Sequence, residues 1–255
     1  MQPEIDLFGL PVKTFGVMFA LGFVAAGAVI ARRLKELGKP VDWAYEIAFA
    51  ALLGGLVGSR LYWVAEHTEQ LSDDPLGTLF GGTGLTWYGG VLGGALVVCL
   101  WARRHGMFGL GLLDLCAAPL ALGYAMGRIG CQLSGDGDYG KESDLPWAMG
   151  YPNGTVPTDP GVEVHPTPVY ETLAMGLAAW LLWRYRDRVG PGIVFAWYLV
   201  AAGAERFLVE FVRRNEDTAL GLTTAQLESI VILGAGVVWI VLAARRGGLR
   251  PVAAT

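Results

Sequence analysis

The chain has 255 residues, of which 53% are apolar and 16% charged, with 37 glycines and a formal net charge of −4. That balance excludes an ordinary soluble domain, makes nucleic acid an unexpected partner, and fits a protein that lives in a lipid bilayer. Cys99, Cys116 and Cys131 all lie within or at the ends of apolar stretches, which supplies neither a disulfide framework nor zinc-ligand spacing.

A helix that crosses a hydrocarbon core of roughly 30 Å needs about 20 mostly apolar residues. In chain order, the apolar stretches predict such helices over 15–32, 44–65, 85–102, 112–133, 167–184, 191–212 and 222–244. The expected fold is all-α: one polytopic membrane domain over 1–255 with about seven transmembrane helices. Ahead of the first span, Glu4 and Asp6 stand against Lys13, unlike the basic start of a secretory signal, so that helix is expected to be kept. Connections are short except 66–84 and 134–166, where Pro, Gly, Asp and Asn gather and the hydrophobic period is lost.

Orientation follows from the basic residues, because cytoplasmic loops are enriched in Lys and Arg. Taken alternately, the loops put Arg32, Arg33, Lys35, Lys39, Arg103, Arg104, Arg184, Arg186, Arg188, Arg245, Arg246 and Arg250 on one side. The other side holds only Lys13, Lys141, Arg213 and Arg214. The N-terminus is therefore expected outside and the C-terminus in the cytoplasm. Both long loops then fall outside, and they are acidic: Glu66, Glu69, Asp73 and Asp74 in one, and Asp136, Asp138, Glu142, Asp144, Asp159 and Glu163 in the other. An outer loop as long as 134–166 exceeds what connection needs and is either a lid or binding element or disordered, with its recurrent Gly and Trp favouring the former. His67 and His105 read as solvated loop residues.

Of the 19 basic residues, Arg60, Arg128 and Arg206 remain, each inside a predicted span. An arginine there costs about 2.5 kcal/mol or more, so it normally faces a polar cavity. Glu171, Glu205 and Glu210 supply opposite charge in the same layers, and Arg206 and Glu210, four apart, share a helix face. Each pair could merely staple helices together. Three staples at one end of a bundle are less economical than a single site, and a guanidinium fork matches phosphate. The inference from the residues is a lipid-phosphate site near the outer leaflet, although an anion channel or transporter would need much the same residues.

The segment GRIGCQLSGDGDYGKESDLPW, Gly127 to Trp147, resembles the signature of prolipoprotein diacylglyceryl transferases. GSRLYWV from Gly58, YGGVLGG from Tyr88, HPTPVYE from His165 and RFLVEFVRRNED from Arg206 to Asp217 agree with that family in order and place, so the resemblance covers nearly the whole chain. It implies transfer of the diacylglyceryl group of phosphatidylglycerol to the lipobox cysteine thiol in a prolipoprotein signal peptide, with release of glycerol phosphate. It implies no metal and no cofactor, and a multi-pass protein of the bacterial plasma membrane whose site faces the outer leaflet. By the same resemblance Arg128 and Arg206 are catalytic and bind the phospholipid phosphate, and Glu210 orients Arg206. Asp136 and Tyr88 occupy catalytic motif positions, while Arg60, Ser134, Gly89, Gly90 and Gly140 occupy motif positions assigned to phospholipid binding.

Several positions depart from the family's usual pattern. Tyr88 stands in place of a histidine, Phe15 and Ala202 in place of tyrosines, Cys131 and Ser134 in place of asparagines, and Asp136 in place of a glutamate, with one extra residue before Gly140. His165 is then a candidate proton acceptor, and Cys131 a weaker candidate nucleophile. The alternative implied by these changes is a diverged phospholipid-binding or phospholipid-group-transferring membrane protein with another acceptor or no catalysis.

Overall fold

The computed structural model describes residues 1–7, 9–69, 77, 86–216, 218 and 221–249. Asp73, Asp74, Asp217 and Arg250 lie outside the described residues. The chain is mostly helical: α1 (Thr14–Glu36), α2 (Trp43–Glu66), α3 (Trp87–Arg104), α4 (Leu110–Ser134), α5 (Thr167–Tyr185), α6 (Ile193–Glu210) and α7 (Thr224–Arg245). Every helix end but one falls within about two residues of the apolar stretches. The exception is α1, which runs on to Glu36. Its last turn is charged but helix-forming, and Glu36 lies 3.4 Å from Arg32 Nε and 3.1 Å from Arg33 Nη1.

α1, α2, α4 and α7 are long and apolar enough to cross a membrane. α6 carries Glu205, Arg206 and Glu210, α5 carries Glu171, and α3 is rich in glycine. Leu173, Leu208 and Val231 are 68%, 65% and 71% exposed, so the outer faces of α5, α6 and α7 present large apolar side chains that suit lipid rather than water.

A two-stranded antiparallel hairpin, β1 (Glu4–Leu7) and β2 (Leu10–Lys13), departs from the all-α expectation. Its turn is closed by Asp6, whose Oδ1 accepts a hydrogen bond from the Gly9 amide at 2.6 Å, with Gly9 at φ 86°. The hairpin is tied back by Gln2 N donating to Leu133 O at 2.9 Å, at the end of α4.

The chain forms two compact units, Ile30–Leu112 and the remainder, Met1–Val29 with Leu113–Thr255. Inside the first, α2 and α3 cross on glycine. A Cβ on Gly54 would meet Gly93 O at 2.6 Å, and one on Gly93 would meet Gly58 Cα at 2.7 Å, so backbones touch where side chains would otherwise hold them apart. Trp101 Nε1 donates to Glu46 Oε2 at 2.5 Å at the far end of this pair.

In the larger unit, Ala117, Ala118, Ala121 and Ala125 of α4 pack with Met175, Ala179 and Leu182 of α5 and Val194 of α6. Small residues along α4 bring α5 and α6 close. Asp114 fixes one end of that contact, its carboxylate accepting from Gly192 N at 2.6 Å and Phe195 N at 3.0 Å at the start of α6. The loop 134–166 folds on itself around Tyr139, Tyr151 and Val164, with the two tyrosine rings stacked at 4.7 Å. Burial pushes the Tyr151 hydroxyl up to about 12 against the opposing hydrogen bond with Gln132, so it stays a neutral donor, 2.8 Å from Gln132 Oε1. The loop is long because it builds a small core of its own.

Candidate active site

Glu171 lies in the first turns of α5 with its side chain wholly buried. Three arginines converge on its carboxylate: Arg128 Nε at 3.3 Å from Oε2, Arg206 Nη1 at 3.4 Å from Oε1, and Arg213 Nη1 at 3.4 Å from both oxygens. Tyr124, one turn before Arg128, donates its hydroxyl to Oε1 at 3.0 Å, and its ring lies 4.9 Å from the Arg128 guanidinium carbon. A lone buried carboxylate would be prohibitively costly; one shared by three guanidinium groups is compensated and becomes their hub.

Two further carboxylates complete the network. Asp138 of the loop pairs with Arg128 through Oδ2 and accepts from Arg213 Nη2 on Oδ1 at 2.6 Å. Burial alone would raise its carboxyl pKa, but Arg128 and Arg213 outweigh that and hold it below the usual carboxylate range. Glu210, in the last turn of α6, lies 3.1 Å from Arg206 Nη2 and accepts from Asn215 and from Thr223 Oγ1, the latter at 2.9 Å. Thr223 in turn caps α7, accepting from Gln226 N at 3.2 Å in a capping box. The start of α7 is thereby fixed to the charged network.

The backbone brings these groups together where the loop 134–166 meets the turn after α6. Gly140 N donates to His165 O at 2.8 Å and Lys141 N to Val212 O at 2.8 Å, pairing the loop with the residues just before Arg213. A Cβ on Gly140 would strike Val212 O and come within 2.8 Å of His165 Cβ, which is a packing reason for glycine there. Thr167 Oγ1 donates to Asp138 O at 2.5 Å, holding the loop on α5.

Of the residues singled out in the sequence, Arg128, Arg206 and Glu210 meet in this network, with Glu171 at its centre. Ser134 is buried at the C-terminal end of α4, where its carbonyl accepts from Thr155 N at 2.9 Å. Asp136 lies beside Asp138, its Oδ1 accepting from Asp138 N at 3.3 Å, but the carboxylate that reaches the arginines is Asp138. His165 Nδ1 is 3.3 Å from the Tyr170 hydroxyl, which also accepts from Trp147 Nε1 at 2.7 Å. Arg60, Tyr88, Gly89 and Gly90 belong to the smaller unit. There Arg60 donates to Gly77 O at 3.0 Å and lies over Trp63 at 4.8 Å, Tyr88 sits beside Trp87 and Tyr62, and Gly89 lets α3 approach Gly58.

Arg213 and Asp138 are members of the network that the sequence alone does not single out. Arg213 was counted as a loop charge, yet its side chain is 9% exposed. Its spacing of three from Glu210, continuing the face shared by Arg206 and Glu210, was the signal available.

Cys131 Sγ is buried, 3.8 Å from Arg128 Nη1, and the donor atoms of Cys131, Asp136 and Asp138 lie within 4.8 Å of one another. Both oxygens of Asp138 already face guanidinium groups, so a cation added to this set would sit beside two positive charges. Arg128 and Arg206 are partly accessible, with side chains 17% and 27% exposed, whereas Glu171 is wholly buried.

Apolar helices with lipid-compatible faces, around three arginines gathered on a wholly buried carboxylate, define a membrane protein with a buried charged network. A profile of the family "Prolipoprotein diacylglyceryl transferase" matches residues 4–242, and the chain belongs to that family. It is similar to the phosphatidylglycerol–prolipoprotein diacylglyceryl transferase of Clostridium tetani (strain Massachusetts / E88), 33% identical over 240 residues that cover 92% of this chain and 95% of that protein. The enzyme of the same name from Dehalococcoides mccartyi (strain ATCC BAA-2100) is 34% identical over 231 residues, 89% of this chain and 88% of the relative. That from Bordetella avium (strain 197N) is 32% identical over 255 residues, 95% and 94% respectively.

Proposed function

We propose that this chain is a transferase of lipoprotein biogenesis that moves the diacylglyceryl group of phosphatidylglycerol onto the lipobox cysteine of a prolipoprotein. The supporting observation is the convergence of Arg128, Arg206 and Arg213 on Glu171, together with family membership. In the reaction, the cysteine sulfur forms a bond to the terminal glycerol carbon of the diacylglyceryl group while the bond from that carbon to the phosphate oxygen breaks. The thiol proton leaves to a base, and the electron pair of the broken bond departs with glycerol phosphate. Negative charge gathers on the phosphate as it leaves, and donors already fixed in place by Glu171, Asp138 and Glu210 need no reorganisation to meet it. Arg128 and Arg206 hold the phosphate, Arg213 supports both through shared carboxylates, and His165 is a candidate proton acceptor.

In this reading all seven helices span the bacterial plasma membrane, with the N-terminus outside, the C-terminus cytoplasmic, and the site toward the outer leaflet. The charge bias supports it: with Arg213 assigned to the internal network, the basic residues left on the outer side are Lys13, Lys141 and Arg214. The test is to supply this gene to bacteria depleted of their own transferase. Lipid-modified lipoprotein is the expected result; a membrane-inserted chain that leaves prolipoprotein unmodified contradicts the proposal.

A further inference from the structure

A cavity of about 410 Å³ lies next to the buried network, lined by Gly137, Asp138, Tyr139, Arg213, Arg214 and Asn215. Small-molecule sites commonly measure about 300–1,000 Å³. All six lining residues come from the loop 134–166 and the turn after α6, so the cavity is built outside the helices. Arg213 belongs to both places: it contacts Glu171 and Asp138 in the network and forms part of the cavity wall. Arg214 differs from its neighbour. Its Nη2 donates to Gly137 O at 3.1 Å and its guanidinium carbon lies 4.2 Å from the Tyr139 ring centre, while no carboxylate among the described residues pairs with it.

We propose that this cavity is the site through which the released glycerol phosphate leaves, bound by Arg214 together with Arg213; the assignment rests on the transferase reading above. Breaking the carbon–oxygen bond turns a phosphodiester of charge about −1 into a monoester of charge about −1.5 to −2 at neutral pH. The product, not the lipid, therefore gains from one more guanidinium. Arg213 stands where the buried arginines end and the cavity begins, and Arg214 supplies that extra fork, held in place by a backbone carbonyl and an aromatic face. The cavity walls are polar, as suits a water-soluble phosphate ester of a polyol and not acyl chains.

The experiment uses the full chain in detergent micelles and measures binding of glycerol 1-phosphate by calorimetry, with wild type, Arg214→Gln and Arg214→Lys. In parallel, its inhibition of turnover is measured with phosphatidylglycerol and a lipobox peptide. The expected result is binding about tenfold weaker in Arg214→Gln, with Arg214→Lys between, and an inhibition constant raised by the same factor. Unchanged binding in Arg214→Gln, or no binding to wild type, overturns the exit site even when turnover is normal. A change confined to KM for phosphatidylglycerol identifies the intact lipid headgroup as the occupant and overturns it too. Arg214-dependent binding without any turnover supports the cavity as a glycerol phosphate site and sinks the transferase reading instead.

Discussion

Arg213 Nη1 lies 3.4 Å from both carboxylate oxygens of Glu171, joining the turn after α6 to the first turns of α5. A contact 42 residues apart in sequence thus closes the charged network, and it pairs a wholly buried carboxylate with a side chain 9% exposed. Removing one partner of such a pair strands the other. Glu171→Leu is expected to lower stability by about 3–5 kcal/mol, the usual effect of breaking a buried ion pair. Thermal unfolding in detergent checks it, with Glu171→Gln milder because its carbonyl still accepts from Tyr124 and one arginine.

Arg213 itself serves two carboxylates in different directions, with Nη2 2.6 Å from Asp138 and Nη1 3.4 Å from Glu171. A lysine has no planar fork to span them. Arg213→Lys is therefore expected to lose about 10²-fold or more in kcat/KM, nearly as much as Arg213→Ala. Steady-state kinetics with phosphatidylglycerol and a lipobox peptide measures both; full rescue by lysine contradicts the bridging role.

Asp138 gives a pH dependence with a defined sign. Its folded-state pKa is depressed by Arg128 and Arg213 against the upward push of burial. The stabilisation it contributes is then fully present above the unfolded carboxylate value of about 3.9 and is lost as pH falls through the depressed folded value. Unfolding followed from pH 7 down to pH 3, about one unit below that unfolded value, should show acid destabilisation that is smaller in Asp138→Asn. Identical acid profiles count against the two ion pairs.

Gly140 tests the seam between loop and helix turn. Alanine there pushes Cβ into Val212 O and the His165 side chain, so Gly140→Ala is expected to cost about 1–3 kcal/mol as an overpacking substitution. Limited proteolysis of the loop 134–166 reads the loosened seam directly.

The helices were legible because their apolar runs are long, and every end but that of α1 falls within about two residues of where those runs stop. The hairpin was not, since EIDL and LPVK are too short to show a period and are joined by only two residues, with Asp6 of β1 accepting from Gly9 N across the turn. Within the site, Arg128, Arg206 and Glu210 stood out as charges in apolar surroundings. Arg213 follows the end of α6 beside Arg214, and in sequence the two look alike; both line the cavity, but the fold buries Arg213 against Glu171 and Asp138 and leaves Arg214 exposed over the Tyr139 ring. Asp138 was overlooked for Asp136 for a similar reason: both are loop aspartates, and only the path of the backbone from Ser134 through Gly140 decides which carboxylate meets the arginines. At Gly140 the structure adds a close approach to the Val212 carbonyl, which motif position alone does not reveal.

In the proposed transfer, guanidinium groups take hold of the departing phosphate. The most direct measurement is release of glycerol phosphate from phosphatidylglycerol by the purified chain, quantified beside thioether formation on a lipobox peptide. One glycerol phosphate per thioether is expected from wild type, with both lost in an Arg128→Ala protein whose unfolding temperature shows that it remains folded. Undiminished release from that variant, or none from wild type, would contradict the account.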